Sequence, residues 1–77
     1  MSLWERDVVL EKGKGAIRVS IQEFKGKERF DVRFCYWHKT GHWTPTQKGV
    51  MISPDRIEDV ITALVEGRNR FIENRST

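Results

Sequence analysis

Arg18, Ser20, Gln22 and Phe24 fall at every second position, and Arg29, Arg33 and Trp37 likewise stand an even number of positions apart beyond a Lys-Gly-Lys reversal. In an extended strand every second side chain points to one face. The spacing therefore predicts cations and two large rings, Phe24 and Trp37, on a single open surface. Such a surface suits an unpaired polynucleotide, because phosphates take the positive charge and unpaired bases offer flat faces worth about 1–3 kcal/mol per stack. Each ring also has a plainer use. Phe24 can simply close a hairpin, and Trp37 can be buried in a dimer contact, since large exposed aromatics often mark protein interfaces. Alternation alone leaves a nucleic-acid surface and a protein-only interface both open.

Other reactive side chains do not assemble into a site. His38 and His42 are four residues apart, but Lys39-Thr40-Gly41 between them reads as a turn and no further ligand stands nearby. Cys35 beside two histidines suggests a nucleophile and base, yet its place in the middle of a strand is more in keeping with structure. Gly13, Gly15, Gly26 and Gly49 are scattered among strands and do not form a phosphate-binding loop. No catalytic residue, metal site or cofactor is expected, and the chain does not read as an enzyme.

The elements that must position these residues follow from periodicity. Residues 16–24 alternate, with Ile17, Val19 and Ile21 opposite Arg18, Ser20, Gln22 and Phe24. Residues 30–37 repeat the pattern, with Phe30, Val32, Phe34 and Tyr36 on one side and Asp31, Arg33, Cys35 and Trp37 on the other. Lys25-Gly26-Lys27-Glu28 between them permits a tight reversal. Residues 7–11 are apolar enough for a first strand, and Leu3 and Trp4 before them are given no weight. Pro45 limits pairing after the 38–42 loop, so the fourth strand is expected at 48–52. Ser53 then suits a helix N-cap and Pro54 the first helical position, with Asp55 complementing the dipole. Ile57, Val60, Ile61, Leu64, Val65, Phe71 and Ile72 form one apolar stripe, which should pack on the apolar face of the sheet. Gly67 is a place where this helix can bend or fray, and disorder is expected beyond Asn74. The reading is α+β: a curved four-stranded antiparallel β-meander, then one C-terminal amphipathic α-helix.

Bulk properties narrow the setting. A chain of 77 residues supports a single domain, here 1–77 with a core over about 5–73, and only a thin interior. One cysteine excludes an intrachain disulfide, which leaves a second copy as the remedy. No segment has the length of an apolar membrane span, and no secretory leader is visible, so a soluble intracellular protein is expected. The net charge of +3 hides an asymmetry. Residues 12–48 hold nine basic and three acidic side chains, a local +6, whereas the flanks hold five basic and eight acidic, −3. That segregation is consistent with a polyanionic partner for the middle of the chain, or with an ordinary solvated basic surface.

Glu23-Phe24-Lys25-Gly26-Lys27 resembles the acidic-Phe-Lys-Gly-Lys hairpin of the positive cofactor four family of transcriptional coactivators. The likeness continues through Asp31-Val32-Arg33, then Lys48-Gly49-Val50-Met51-Ile52, then the Ser53-Pro54 entry to a helix, and covers about residues 16–65. The resemblance implies the curved sheet and helix, a homodimer, and binding of single-stranded DNA or melted duplex with little sequence preference. By matching position, Phe24 would stack on a base, and Lys25, Gly26 and Lys27 would form a backbone-contacting hairpin with Gly26 allowing close approach. Arg33 would contact phosphate or base, and Lys48 with Gly49 would extend the basic track. Lys12, Lys14 and Arg18 lie near a basic family position without matching it exactly. Gln47 replaces an arginine common in the family. The family's stacking tryptophan aligns with Tyr36, whereas alternation turns Trp37 outward and favours it.

The implied function is sequence-tolerant single-stranded DNA binding in transcription or DNA maintenance, in the manner of the short bacterial forms, in cytoplasm or nucleoid. The alternatives are a dimeric adaptor for the transcription machinery and a single-stranded RNA binder, since nothing in the sequence reads a 2′-hydroxyl.

Overall fold

The protein is described by a computed structural model over residues 2–75, with Lys12 described by its backbone alone. Four strands, β1 (Ser2–Val9), β2 (Ala16–Phe24), β3 (Lys27–Trp37) and β4 (Trp43–Ile52), precede one helix, α1 (Ile57–Arg75). They form a single sheet in the order β1-β2-β3-β4, with each neighbouring pair antiparallel. A 3₁₀ turn at Glu11–Gly13 joins β1 to β2, and another at Pro54–Arg56 leads into α1.

The β2–β3 pairing explains why alternation was so informative. Ile17, Val19 and Ile21 sit opposite Phe34, Val32 and Phe30, while Arg18, Ser20 and Gln22 sit opposite Arg33, Asp31 and Arg29. A shift of one residue would exchange the two faces entirely. The register is held by a two-residue reversal in which Lys25 and Gly26 both have positive φ, 52° and 77°. That backbone matches the twist of the flanking strands and favours glycine at its second position.

The edge strands depart from expectation. β1 begins at Ser2, and Trp4, which carried no weight in the sequence, pairs with Ile21 on the apolar face. β4 begins at Trp43 and runs through Pro45, five residues earlier than its periodicity indicated. Proline is tolerated because β4 is an edge strand with one unpaired side. The period is hidden by a bulge: β3 advances from Arg33 to Cys35 while β4 goes from Gly49 to Pro45. Bulges of this kind bend and twist a sheet locally.

The helix begins where Ser53-Pro54 indicated, but the Ser53 hydroxyl makes no capping bond. The start is closed instead by the Arg56 N–H donating to the Ser53 carbonyl at 3.0 Å. Gly67 lies within the continuous helix, and order extends past Asn74 to Arg75; Ser76 and Thr77 lie outside the described residues. The expected packing of helix on sheet is only partly realised. Ile57, Val60, Ile61 and Leu64 look across an apolar cavity of about 520 Å³ toward Trp4, Ile17, Val19, Phe30, Val32 and Ile52. No described residue of α1 is buried, and Leu64 remains 69% exposed. Phe71 and Ile72 are exposed as well, so the stripe is not sealed by this chain's own sheet.

Candidate nucleic-acid interface

The deepest part of the molecule lies on the polar side of the sheet. Ala16, Ser20 and Cys35 are fully buried and Asp31 nearly so. All four share the parity of Arg18 and Arg33 on β2 and β3. Being small or paired, they fit beneath longer neighbours. Arg18 Nε donates to Asp7 Oδ1 at 2.7 Å and its Nη2 to Asp7 Oδ2 at 3.1 Å, with Glu5 3.6 Å away. Arg33 makes the same fork toward Asp31, at 3.0 and 2.8 Å, and its Nη1 donates to the Thr46 carbonyl at 2.8 Å.

These forks set the electrostatics of the floor. Hydrogen bonds from Arg18 hold the Asp7 carboxyl below the usual carboxylate range, against the opposing effect of burial. The same bonds push both guanidiniums further toward the charged form. Burial pushes the Cys35 thiol up, the opposite of what a nucleophilic thiolate needs. Arg33 also anchors the β4 bulge, where the Thr46 hydroxyl donates to the Phe34 carbonyl at 2.8 Å and accepts from the Lys48 N–H at 3.1 Å. The structure thus places Arg18 and Arg33 on the expected face, but each with a carboxylate partner.

Above this floor the charge is uncommitted. Among the described residues Lys25, Lys27, Arg29 and Lys48 have no ion pair. Phe24 is 69% exposed at the hairpin tip, with Lys25 Nζ 5.4 Å from its ring centre. A groove of about 490 Å³ runs beside it, lined by Gln22, Phe24, Lys27, Arg29, Arg33 and Met51 among others. Gly26 is free of neighbours at its would-be Cβ, and its positive φ alone explains the glycine. Gly49 has a steric reason, since a Cβ there would sit 2.6 Å from the Val32 carbonyl oxygen and 3.0 Å from Arg33 Cα.

The two aromatic candidates in β3 separate cleanly. β3 itself carries no bulge, the irregularity lying in β4, so Trp37 keeps the parity of Arg33 and Tyr36 that of Phe34. Trp37 is 54% exposed and packs edge-on against Trp43, ring centres 5.0 Å apart. Tyr36 instead pairs with Thr44, with His38 6.2 Å from its ring. Neither Phe24 nor Trp37 lies in the cavity beneath the helix. Ten residues of β3 separate Trp37 from Lys27, the register partner of Phe24, so the rings stand about 30 Å apart along the strand. Lys14 ends the first 3₁₀ turn just before Ala16, at the Trp37 end. Phe24, Lys25, Gly26 and Lys27 form one cluster, and Lys14 and Trp37 stand at the opposite end.

Met51 and Trp43 were missed in the sequence. Both belong to β4, opposite Asp31 and Trp37, with Pro45 and the irregular stretch at 46–48 between them. The two histidines lie at the β3–β4 loop, rings stacked 5.2 Å apart, with the Thr40 hydroxyl 2.9 and 2.8 Å from their Nδ1 atoms. Among the described residues no group of three or more potential metal ligands is present.

A profile of the family described as Transcriptional Coactivator p15 (PC4) matches residues 11–63, well over half of the 77-residue chain. A search of curated protein sequences gave no match. Among solved structures, the chain is similar to BPSL1147, a PC4 homologue from Burkholderia pseudomallei. In its orthorhombic form the TM-score is 0.74 at 25% identity, covering 88% of each chain. In its tetragonal form the TM-score is 0.71 at 25% identity, covering 84% of this chain and 98% of the other. The bacteriophage T5 homologue of the eukaryotic coactivator PC4, implicated in recombination-dependent DNA replication, matches at TM-score 0.56 and 18% identity, over 94% and 81% of the respective chains, a likeness of fold. The hairpin, the meander and the helix that follows it thus agree with the profile and with both crystal forms, and the chain belongs to the PC4 family of transcriptional coactivators.

Proposed function

We propose that this protein binds single-stranded DNA with little sequence preference, as a homodimer, and serves transcription or DNA maintenance without catalysing a reaction. The observation that carries the reading is the groove at the hairpin tip, where an exposed Phe24 ring stands beside Lys25, Lys27 and Arg29, cations with no ion pair among the described residues. Rings and mobile cations on an open sheet suit flexible, unpaired strands better than a rigid duplex, whose bases are stacked away. Carried over from the family resemblance, Phe24 is the stacking ring, Lys25, Gly26 and Lys27 the backbone-contacting turn, and Lys48 with Gly49 an extension of the basic track, while Lys14, which matches no family position, adds outlying charge. Arg33 and Arg18 shape and polarise the floor through their carboxylate partners.

What one chain leaves open supports the dimer. Among the described residues only Ala16 and Cys35 are buried apolar residues, while the helix stripe and the apolar side of the sheet face each other across a cavity. A second copy is the simplest cover for both. Among the described residues no helix is long and apolar enough to cross a membrane.

Titration of the protein with oligothymidine at several salt concentrations tests the reading. Affinity should fall with salt at a log–log slope of about −0.7 per phosphate contact. An oligothymidine that stays free at moderate salt would overturn it in favour of a protein adaptor, and tighter binding of oligouridine would reassign the ligand to RNA.

A further inference from the structure

Trp43 has no counterpart among the residues so far given a role, yet it shares the groove face with Trp37. The two are register partners at the last rung of β3 and β4. Their rings stand at 73° with centres 5.0 Å apart, so two nearly perpendicular planes form a corner. Trp37 keeps more than half of its surface open there. The loop behind the corner is tied down: the His38 N–H donates to the His42 carbonyl at 2.8 Å and the Gly41 N–H to the His38 carbonyl at 2.9 Å. The Thr40 hydroxyl bridges both imidazoles. A corner held this way needs little ordering when a flat molecule enters it.

We infer that Trp43 is a second base-contacting ring, which together with Trp37 receives one nucleobase at the end of the groove face remote from Phe24. This rests on the proposed single-strand binding and deepens it. A base laid on either indole meets the other nearly at right angles, one ring supplying a stacking face and the other an edge-to-face wall. The distance along β3 between this corner and the hairpin tip makes them separate platforms that one strand must span. Lys39, in the intervening loop, supplies positive charge for the adjacent phosphates. Trp4, by contrast, lies on the apolar side, opposite Ile21 and lining the cavity under the helix.

The test uses the whole chain with Trp4→Phe and Trp37→Phe, so that Trp43 is the one remaining indole. Oligothymidine should quench its emission. In an otherwise unchanged chain, Trp43→Ala should weaken oligothymidine binding about 5- to 150-fold without changing the salt slope. Trp43→Phe should restore most of the loss, whereas Trp43→Leu, which keeps bulk but has no ring, should not. The loss should be confined to oligonucleotides long enough to reach both platforms, examined across about 4–16 nucleotides. Unquenched Trp43 emission, or full affinity in Trp43→Leu, would overturn the inference while binding that still depends on Phe24 leaves the function standing. If the unmodified protein itself fails to bind oligothymidine, both readings fall together.

Discussion

The two faces of the sheet are finished to different degrees. On the polar face, small residues are completely covered, and two arginines are forked onto carboxylates above them. On the apolar face, large side chains and a helix stripe confront each other across open space, with Leu64 mostly exposed. Burial is therefore deepest where the sequence is most polar. One chain completes its polar surface by itself and leaves its hydrophobic surface open. This inverts the usual arrangement, and it is the opening that the proposed second copy would cover.

The sharpest way to break this contrast is Leu64→Glu. A charge placed in a shared apolar interface costs several kcal/mol unless it finds a partner. The variant should sediment as a monomer and lose most of its stability, together with any dependence of Tm on protein concentration. Unchanged size and stability would mean that the apolar face is not covered by a second copy.

Next in size is Arg33→Ala, which strands the Asp31 carboxylate, 7% exposed, beneath the groove. Removing one member of such a pair should cost about 3 kcal/mol in chemical denaturation. Replacing both, Arg33→Met with Asp31→Leu, should recover much of it, as isosteric apolar pairs often do. A large loss of salt slope with little loss of stability would instead make Arg33 a direct phosphate ligand.

Phe24→Ala should weaken oligothymidine binding by about 1–3 kcal/mol with the salt slope intact. Lys27→Ala should do the reverse, flattening the slope by about 0.7 for the one phosphate it neutralises. If both variants changed affinity and slope alike, rings and cations would not have the separate roles proposed.

The smallest effect concerns acid. Asp7 has a lowered pKa in the folded chain because Arg18 hydrogen-bonds its charged form. Its contribution is fully present above its unfolded value, about 3.9, and is lost as pH falls through the lower folded value. Asp7→Asn should therefore be less stable than the parent near neutrality, with the gap narrowing in acid melts. A gap that held constant down to the lowest pH would remove this ion pair from the stability of the floor.

How much of this was legible in the sequence differs from strand to strand. β2 and β3 could be read residue by residue, because strict alternation across a two-residue turn leaves one sensible register. β4 could not, since Pro45 and the bulge at 46–48 interrupt the period just where Trp43 and Met51 join the groove face. The partners of the arginines were equally hidden. Arg18 meets Asp7 across two different strands, and nothing local to either residue announces the pairing. Which of Tyr36 and Trp37 shares the face of Arg33 turned on which strand holds the bulge, and it lies in β4.

By itself, then, the sequence determined the meander, the tip hairpin with its Phe24-Lys25-Gly26-Lys27 cluster, and which residues of β2 and β3 share a face, since all of these follow from backbone period and turn geometry within short stretches. The tertiary structure alone decided which cations are bound to carboxylates, which ring lies beside which, and that the helix leaves its apolar stripe open. These depend on cross-strand register and on packing between distant segments, where a single bulge shifts every later neighbour.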